Sequence, residues 1–488
     1  MSNSSSLYKI MKGIEYDDLN GNDAVISGIA YDSRSVREGD VYFALSGENF
    51  DGAQFIPEAI ERGCSAVVSR EYDRTPEVAA VTTSDPRLAL AYASTNFYGN
   101  PSRKLKLIGI TGTNGKTSVA HILRYMLQSA GYKTAILGTV GHDYGEGIEK
   151  SSLTTPEAPD LNKFLRKAVD EGSTHAVMEV SSHSLALKRV SGLDFDLAVF
   201  TNLTHDHLDY HKNFESYRNS KGILFSELKD SAYAVLNIDD EAAEYMSTLT
   251  SANVVTFSIS DSSADYQALS HTFSERGMKI SLSIPRGTVN IESPLSGEFN
   301  VYNLLAAFSA VDVLGVKGDY AIENLNDLSQ IPGRFEKIVS AAGFTILVDY
   351  AHTPDALENT MKAARQLTSP DGRLITIFGC GGDRDVEKRP VMGKLASSLS
   401  DLVIVTSDNP RSEKPENIIN EISNGIINEN FESIEDRRSA IIHALKEAKT
   451  GDVVLVAGKG HEDYQEINGI RNPFSDKDVI NEFLGGKG

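Results

Sequence analysis

A glycine-containing loop between an apolar run and a helical pattern is the feature that most limits how this chain of 488 residues can fold. Residues 111–117 read TGTNGKT, directly after the β-rich run LKLIGI and before a helix predicted from about Ser118 to Ala130. A further strand, KTAILGTV, follows. A strand, a loop, a helix and a second strand in this order are typical of a parallel sheet, so we predict an α/β fold.

The loop has the composition of a phosphate-binding turn. Gly112 and Gly115 allow a tight backbone turn whose N–H groups can point at phosphate oxygens, and the following helix N-terminus favours an anion. Lys116 is placed to reach the β- and γ-phosphates, and Thr117 to offer its hydroxyl to Mg²⁺. The general motif has Gly where this chain has Ile110, and a βα turn that binds nothing is the alternative. We predict use of ATP or GTP.

Length and pattern predict three domains, at about 150 residues each. The segments FYGNPSRKLK and QIPGRFEKI interrupt the pattern and place the boundaries, giving domains at 1–100, 101–332 and 333–488. The first reads as a small mixed α/β domain, and the second as a mainly parallel sheet. In the second, the runs VVTFSI, MKISLSI and TVNIES are expected to form antiparallel strands at one edge. The third alternates strands and helices and is predicted to be a Rossmann-like doubly wound sheet.

Charge and cysteine content exclude several classes of protein. Lys plus Arg is 47 and Asp plus Glu is 68, a net charge of −21, which disfavours nucleic-acid and anionic-membrane binding. Two cysteines cannot build a disulfide framework, so a reducing compartment is expected. The chain has no apolar run of membrane-spanning length. We expect a soluble, cytoplasmic monomer.

Acidic and histidine side chains follow two predicted buried strands, in MEVSSH and in TNLTHDHLDYH. Because the carboxyl ends of parallel strands face the ligand crevice, both groups should open on the side of the phosphate loop. Such oxygen and imidazole ligands suit a divalent metal in a phosphoryl-transfer site. A zinc site and a polar loop of hydrogen-bonded histidines are the alternatives. The residues are Glu179, His183, Asp206, His207, Asp209 and His211.

Taken together, the motifs resemble those of the Mur ligase family, ATP-dependent enzymes that join amino acids to the cell-wall precursor. The resemblance covers almost the whole chain, in family order. It rests on TGTNGKT, EVSSH, TNLTHDHLDYH, the lysine in YRNSKGILF, GEFNVYNLLAA, GRFE, DYAHTPDAL, GCGGDRD, DNPR and GKGHEDYQ. The last four are most similar to those of the family member that adds meso-diaminopimelate in peptidoglycan synthesis.

The resemblance implies a role for each domain and for individual residues. The N-terminal domain would bind the UDP-linked precursor, the central one ATP and the C-terminal one the amino acid. ATP contacts are expected at Gly112, Thr113, Asn114, Gly115, Lys116, Thr117, Asn303, Arg334 and Asp349. Contacts to the precursor UDP-N-acetylmuramoyl-L-alanyl-D-glutamate are expected at Ser33, Thr154, Thr155, Ser181 and Arg189. Contacts to diaminopimelate are expected at Arg384, Asp408, Asn409, Arg411, Gly458 and Glu462, with Pro410 between them.

Metal and catalytic roles also follow from the resemblance. Mg²⁺ ligands are expected at Thr117, Glu179, His207 and Lys221, where Lys221 matches a lysine that family members carry as a carbamate (N6-carboxylysine). Lys116, Lys221, His207 and Glu179 are then the expected catalytic residues, with His352 beside the nucleotide.

The implied reaction couples ATP cleavage to amide formation. The γ-phosphoryl group would pass to the D-glutamate carboxylate, and the amine of diaminopimelate would attack the acyl phosphate. Arg411 would grip the distal carboxylate that distinguishes diaminopimelate from lysine. The alternatives are the lysine-adding ligase, a folylpolyglutamate synthetase relative and a phosphate-loop regulatory or transport ATPase.

Overall fold

A computed structural model describes residues 4–47, 51–71, 78–151, 153–274, 276–316, 322 and 324–485. In the described residues, three large sheets follow one another along the chain, each covered by helices, and two further sheets have two strands each. The predicted three-domain α/β architecture is confirmed, while the boundaries at residues 100 and 332 stay a prediction. Among the described residues, no helix is both long and apolar enough to cross a membrane.

The N-terminal unit is small and mixed. Its strands are β1 (Ser5–Ser6), β2 (Asp18–Asn20), β3 (Val25–Ile26), β4 (Gly28–Ala30), β5 (Asp40–Phe43), β6 (Ala66–Ser69) and β7 (Ala79–Thr82). Its helices are α1 (Leu7–Ile10), α2 (Ile56–Glu61) and α3 (Pro86–Phe97). The sheet order is β2-β7-β6-β5-β4, with β2 antiparallel to β7 and the other neighbours parallel. Helix α3 begins where the Asp85 side chain accepts from the Leu88 N–H, which caps its first turn.

The central unit is built on a long sheet. Its strands are β8 (Lys106–Thr111), β9 (Thr134–Leu137), β10 (His142–Asp143), β11 (His175–Glu179), β12 (Leu197–Phe200), β13 (Tyr233–Asn237), β14 (Asn253–Ser258), β15 (Tyr266–Ser274), β16 (Gly277–Ile284) and β17 (Gly287–Ser293). Its helices are α4 (Lys116–Ser129), α5 (Ala158–Asp170), α6 (Ser182–Ala186), α7 (Leu208–His211), α8 (Phe214–Ser226), α9 (Ala242–Leu249) and α10 (Glu298–Val313). The order is β10-β9-β11-β8-β12-β13-β14-β15-β16-β17. One apolar core packs α4 and α10 on one face of the sheet, and a second packs α5 and α8 on the other.

One expectation for the sheet edge is partly wrong. Strand β14, the run VVTFSI, is parallel to both β13 and β15, so it continues the parallel sheet. Only β16 and β17 extend it in antiparallel fashion, as a meander beyond β15. The exposure of β14 does not alternate: its first two residues are exposed and its last two are buried. An alternating pattern reports one solvated face and does not fix strand direction.

The C-terminal unit is the predicted doubly wound sheet. Its strands are β18 (Glu336–Val339), β19 (Thr345–Asp349), β20 (Leu374–Phe378), β21 (Leu402–Val405), β22 (Phe431–Ser433) and β23 (Val453–Ala457), followed by the hairpin β24 (Tyr464–Ile467) and β25 (Ile470–Pro473). Its helices are α11 (Pro354–Leu367), α12 (Lys388–Leu399), α13 (Pro415–Ser423), α14 (Arg437–Glu447) and α15 (Asp476–Gly485). The order is β18-β19-β23-β20-β21-β22, parallel except for β18.

Candidate active site

A cavity of ≈ 530 Å³ lies where the central and C-terminal units meet. The glycine loop and the carboxyl ends of central strands form one wall, and α10 contributes Asn303. The C-terminal unit contributes Arg334, Asp349 and the start of α11. Among the residues predicted from the sequence, those that line the cavity are Thr113, Asn114, Gly115, Lys116, Thr117, Thr154, Glu179, Ser181, Asp206, His207, Lys221, Asn303, Arg334, Asp349 and His352.

The loop needs glycine at two positions. Gly112 and Gly115 both have positive φ, of 151° and 87°. A side chain at position 112 would place its Cβ 1.9 Å from Thr201 Oγ1, and one at position 115 would place it 2.5 Å from Asn303 Oδ1. The backbone therefore runs close to the strand end and to α10, and its amides lie at the N-terminus of α4, where an anion is favoured.

Two lysines converge on this loop. Lys116 Nζ donates to the carbonyl oxygens of Gly112 (2.8 Å) and Thr113 (2.7 Å), and buried Lys221 Nζ donates to the same Gly112 oxygen (2.7 Å). Burial lowers the pKa of Lys221 well below its ordinary value, and the Lys116 ammonium lowers it further. Burial also lowers the pKa of Lys116, although the Glu179 and Asp206 carboxylates oppose this. Two lysine side chains that reach one loop can both donate hydrogen bonds to a bound polyanion.

Oxygen ligands suitable for Mg²⁺ stand next to the loop. The Thr117 hydroxyl donates to Glu179 Oε2 (2.9 Å), and Thr139 donates to the same carboxylate from its N–H (2.7 Å) and its hydroxyl (3.0 Å). A hydroxyl and a carboxylate are the hard donors that Mg²⁺ prefers, and Mg²⁺ usually completes its shell with water and phosphate oxygens. The donor set therefore fits the ion. Within the described residues, no cluster of three or more His, Cys, Asp or Glu side chains could hold a metal by itself.

The histidine cluster divides into two parts. His207 lines the cavity, and burial lowers its pKa to about 3 despite the nearby Asp206 carboxylate, so its imidazole is neutral. His211 is buried beneath it and hydrogen-bonds Ser182 Oγ (2.9 Å) and Ser220 Oγ (3.3 Å). His211 therefore matches the alternative of a hydrogen-bonded structural histidine, while His207 remains available to a ligand.

The ring of His183, on α6, packs against the rings of His207 and Tyr210. Its centroid lies 4.2 Å from that of Tyr210 and 4.8 Å from that of His207. Asp209 is exposed. These two members of the predicted cluster do not line the cavity.

Asp349 lines the cavity and also accepts hydrogen bonds that fix the neighbouring backbone. Its Oδ2 accepts from the Phe335 N–H (2.6 Å), and its Oδ1 accepts from the Ala351 N–H (2.8 Å) and the Thr360 hydroxyl (3.3 Å). The carboxylate thus fixes the GRFE turn, in which Phe335 has a φ of 53°. This turn holds Arg334, whose guanidinium donates to Thr117 Oγ1 (2.9 Å) across the domain junction.

Further contacts join the central and C-terminal units around the cavity. Asn114 Nδ2 donates to Asp355 Oδ2 (2.7 Å), which joins the glycine loop to the first turn of α11. His205 Nε2 lies 3.1 Å from Asp385 Oδ2, and Lys150 forms an ion pair with Asp463. The structure therefore shows a closed arrangement of these two units. Asp355 and Thr139 were missed from the sequence, because their neighbours come from distant segments.

The residues expected to contact the UDP-linked precursor are not all together. Thr154 and Ser181 line the cavity, and Thr155 lies behind them with its hydroxyl donating to the Glu179 carbonyl (2.9 Å). Arg189 does not line the cavity, but its Nη1 donates to the Thr155 carbonyl (3.1 Å). Ser33 belongs to the N-terminal unit, where its hydroxyl donates to Glu58 (2.8 Å).

The residues expected to contact diaminopimelate form a separate cluster at the carboxyl ends of β21 and β23. Asn409 Nδ2 donates to Glu462 Oε2 (2.9 Å), and Arg411 Nη1 donates to the Gly382 carbonyl (2.6 Å). Gly458 has a φ of 113°, and a Cβ there would lie 2.6 Å from Asp408 Oδ2.

Arg384 is exposed and lies beside Arg411, since both approach the position of a Cβ on Gly381. Tyr350 connects this cluster to the cavity: it lines the cavity, and its ring centroid lies 5.2 Å from that of His461, the neighbour of Glu462. Burial raises the pKa of its phenol and the Glu462 carboxylate raises it further, while the Arg334 guanidinium opposes this. The two sites therefore adjoin.

Comparisons with known proteins agree with this geometry. Family models match residues 25–101 (Mur ligase family, catalytic domain), 110–311 (Mur ligase middle domain) and 333–460 (Mur ligase, glutamate ligase domain). The chain is 42% identical over 485 residues to the UDP-N-acetylmuramoyl-L-alanyl-D-glutamate--2,6-diaminopimelate ligase of Clostridium botulinum, covering 98% of this chain and 99% of that one. It is 43% identical over 468 residues to the ligase of the same name from Bacillus cereus, covering 95% and 94%. A solved structure of a ligase with this name is 33% identical, with a TM-score of 0.70 over 99% of both chains.

Proposed function

Because the chain belongs to the Mur ligase family, we propose that it is the ATP-dependent ligase that joins meso-diaminopimelate to the D-glutamate of UDP-N-acetylmuramoyl-L-alanyl-D-glutamate in peptidoglycan synthesis. The observation that carries this proposal is the junction of a phosphate loop with the DNPR cluster through the packed rings of Tyr350 and His461. A phosphate-loop regulatory or transport ATPase would not need the second site. The relatives' names favour diaminopimelate over lysine.

The glycine loop would bind the phosphates of ATP. Its amides and the α4 N-terminus supply hydrogen-bond donors, and Lys116 would leave the Gly112 and Thr113 carbonyls for phosphate oxygens. Asn303 and Arg334 line the remainder of the nucleotide cavity. Mg²⁺, held by Thr117, Glu179 and His207, would supply positive charge to the phosphates during transfer.

Lys221 is proposed to carry the carbamate. Its lowered pKa favours the neutral amine, the form that adds CO₂, and the carbamate would place a negative charge beside the Lys116 ammonium. The same change would create a carboxylate in the cavity that Thr117 and Glu179 also line, which favours Mg²⁺.

In the proposed mechanism the protein acts by position and charge. The D-glutamate carboxylate attacks the γ-phosphorus, ADP leaves, and the acyl phosphate forms with Lys116 balancing charge. The amine of diaminopimelate then attacks the acyl carbon and phosphate leaves through a tetrahedral intermediate. The contacts Asn114–Asp355 and Arg334–Thr117 hold the domains closed over this step, which limits hydrolysis of the acyl phosphate by water.

The choice of amine is assigned to Arg411. Its planar guanidinium can bind the distal carboxylate bidentately, and the nearby Glu462 and Asp408 can bind the distal ammonium. Lysine has the ammonium without the carboxylate.

ADP formation, measured with each substrate omitted in turn, tests the function. We expect it to require both the UDP-linked dipeptide and diaminopimelate, and Arg411→Ala to lose most of this activity. ADP formation that is independent of the amine, or equal wild-type rates with lysine, would contradict the proposal. Positional isotope exchange in ATP without amine tests the acyl phosphate.

A further inference from the structure

Lys459 is a buried lysine at the centre of the DNPR cluster, and the proposed mechanism does not use it. Its side chain is 0% exposed. Its Nζ lies 2.9 Å from Glu462 Oε2, 3.0 Å from Asn409 Oδ1 and 3.9 Å from Asp408 Oδ1. One ammonium therefore serves two carboxylates and an amide, three side chains that are all expected to face the amino acid.

Lys459 also fixes the orientation of these groups. Asn409 Oδ1 accepts from Lys459 and from the Glu466 N–H (2.9 Å), so its Nδ2 points to Glu462 Oε2. Both donors use Oε2 of Glu462. Among the described residues no protein donor reaches Oε1, which leaves that oxygen for an ammonium outside the protein.

The charges of the cluster can be summed because its ionic neighbours are paired with each other. Arg437 is bound to Asp476 (2.7 Å), and Arg471 lies 3.7 Å from Glu466. Arg384 and the adjacent Asp383 are both exposed and carry opposite charges, so together they add no net charge. What remains facing the amino acid is Asp408 and Glu462, balanced by Lys459 and Arg411. The pocket is therefore close to neutral, and without Lys459 it would carry one net negative charge.

We propose that Lys459 is a positioning residue that sets the specificity for the amine, by cancelling one of the two pocket carboxylates. The distal end of diaminopimelate is zwitterionic and neutral, so it fits a neutral pocket. The distal end of lysine is a cation, so it fits a pocket with one net negative charge. This inference rests on the proposed function and deepens it, since Arg411 selects for the carboxylate while Lys459 selects against an unbalanced cation.

A purely structural role makes a different prediction. If Lys459 only holds the loop together, its loss lowers kcat/KM for both amines equally. If it sets the pocket charge, its loss changes the ratio of the two values, because electrostatic complementarity acts on the difference between substrates.

The experiment measures kcat/KM for diaminopimelate and for lysine with four variants of the full-length enzyme. In Lys459→Met we expect the ratio of kcat/KM for lysine to kcat/KM for diaminopimelate to rise by about tenfold or more. The KM for ATP should stay within about twofold of the wild-type value. Glu462→Gln should shift the ratio the opposite way. The double variant K459M/E462Q should return it towards wild type, since it is again neutral.

Arg373→Met is the matched control. It breaks the Arg373–Asp452 pair (3.0 Å) of the same domain, which lies before β20 and β23, at the opposite end of these strands from the pocket. For Arg373→Met, the ratio of kcat/KM for lysine to kcat/KM for diaminopimelate should equal the wild-type ratio.

An unchanged ratio in soluble, active K459M overturns the inference. K459M could fail to fold because it leaves Glu462 buried and unpaired. In that case E462Q is compared with K459M/E462Q, a pair that removes Lys459 without this penalty. An equal ratio of kcat/KM for lysine to kcat/KM for diaminopimelate in those two variants also overturns the inference. Absence of diaminopimelate-dependent activity in the wild type would instead contradict the proposed function.

Discussion

A fully buried ion pair anchors the strand that leads into the amine pocket, and its disruption should be costly. Arg437 and Asp476 are both 0% exposed and meet through two hydrogen bonds of 2.7 Å, from Nε to Oδ1 and from Nη2 to Oδ2. The same Nη2 donates to the carbonyl of Ala457 (3.0 Å), the last residue of β23 and the neighbour of Gly458. We predict that Asp476→Asn destabilises this region strongly.

The magnitude follows from the burial of both partners. Asn keeps the shape of Asp but removes the charge, so the guanidinium of Arg437 stays buried without a counter-ion. Breaking a buried pair in this way costs about 3–5 kcal/mol, whereas replacing both partners by apolar residues is often near neutral. At about 1.4 kcal/mol per tenfold, the locally open form should be roughly 10² to 4 × 10³ times more populated than in the wild type.

Hydrogen exchange followed by mass spectrometry resolves this effect in a three-domain protein, for which a single unfolding free energy is not well defined. We expect exchange of the peptides that cover α14, β23 and α15 to accelerate by about that factor, while peptides of the N-terminal unit keep their rates. The double variant R437M/D476L should recover most of the protection. Protection in D476N within about threefold of wild type would refute the reasoning, since it would show that the buried pair is not needed to hold β23.

Four further outcomes test the nucleotide site. Gly115→Ala should raise KM for ATP at least tenfold in steady-state assays, because its Cβ would lie 2.5 Å from Asn303 Oδ1 and φ is 87°. Asp355→Ala removes the bond from Asn114 (2.7 Å) and should increase the fraction of ATP hydrolysed without ligation, measured as the ratio of phosphate to peptide product. Chelation by EDTA should abolish ligation and Mg²⁺ should restore it. ¹³C-labelled bicarbonate should give a carbamate resonance that Lys221→Met lacks.

Much of the fold could be predicted because the apolar pattern and the loops agree locally. The run LKLIGI, the loop and the following helix are contiguous in sequence, and the structure has them as Lys106–Thr111 and Lys116–Ser129. The helix begins two residues earlier than predicted, because Gly115 ends the turn and Lys116 already has helical geometry. Strand direction at the sheet edge was mispredicted for 253–258, since direction depends on which neighbour a strand meets.

The candidate site was predictable where a motif carries its own chemistry and less so where distant segments meet. Lys459 stands inside a motif that was recognised, but its importance depends on burial and on Asn409 and Glu462 arriving at the same point. The role proposed for Asp355 depends on its hydrogen bond with Asn114, which lies 241 residues earlier in the chain. Sequence patterns within one segment do not contain such partners, so these contacts required coordinates.

The two halves of the site differ in how far they are organised before substrate arrives. In the DNPR cluster, Lys459 and Asn409 already hold Glu462 in place, so an incoming amine meets fixed charges. At the glycine loop, Lys116 and Lys221 both donate to the single Gly112 carbonyl, and burial lowers the pKa of both amines. Binding of the triphosphate therefore has to move Lys116, while the amine pocket needs no equivalent change. Preorganisation concentrated at the amine site places discrimination there, because a fixed charge pattern penalises a mismatched substrate more than one that can adjust.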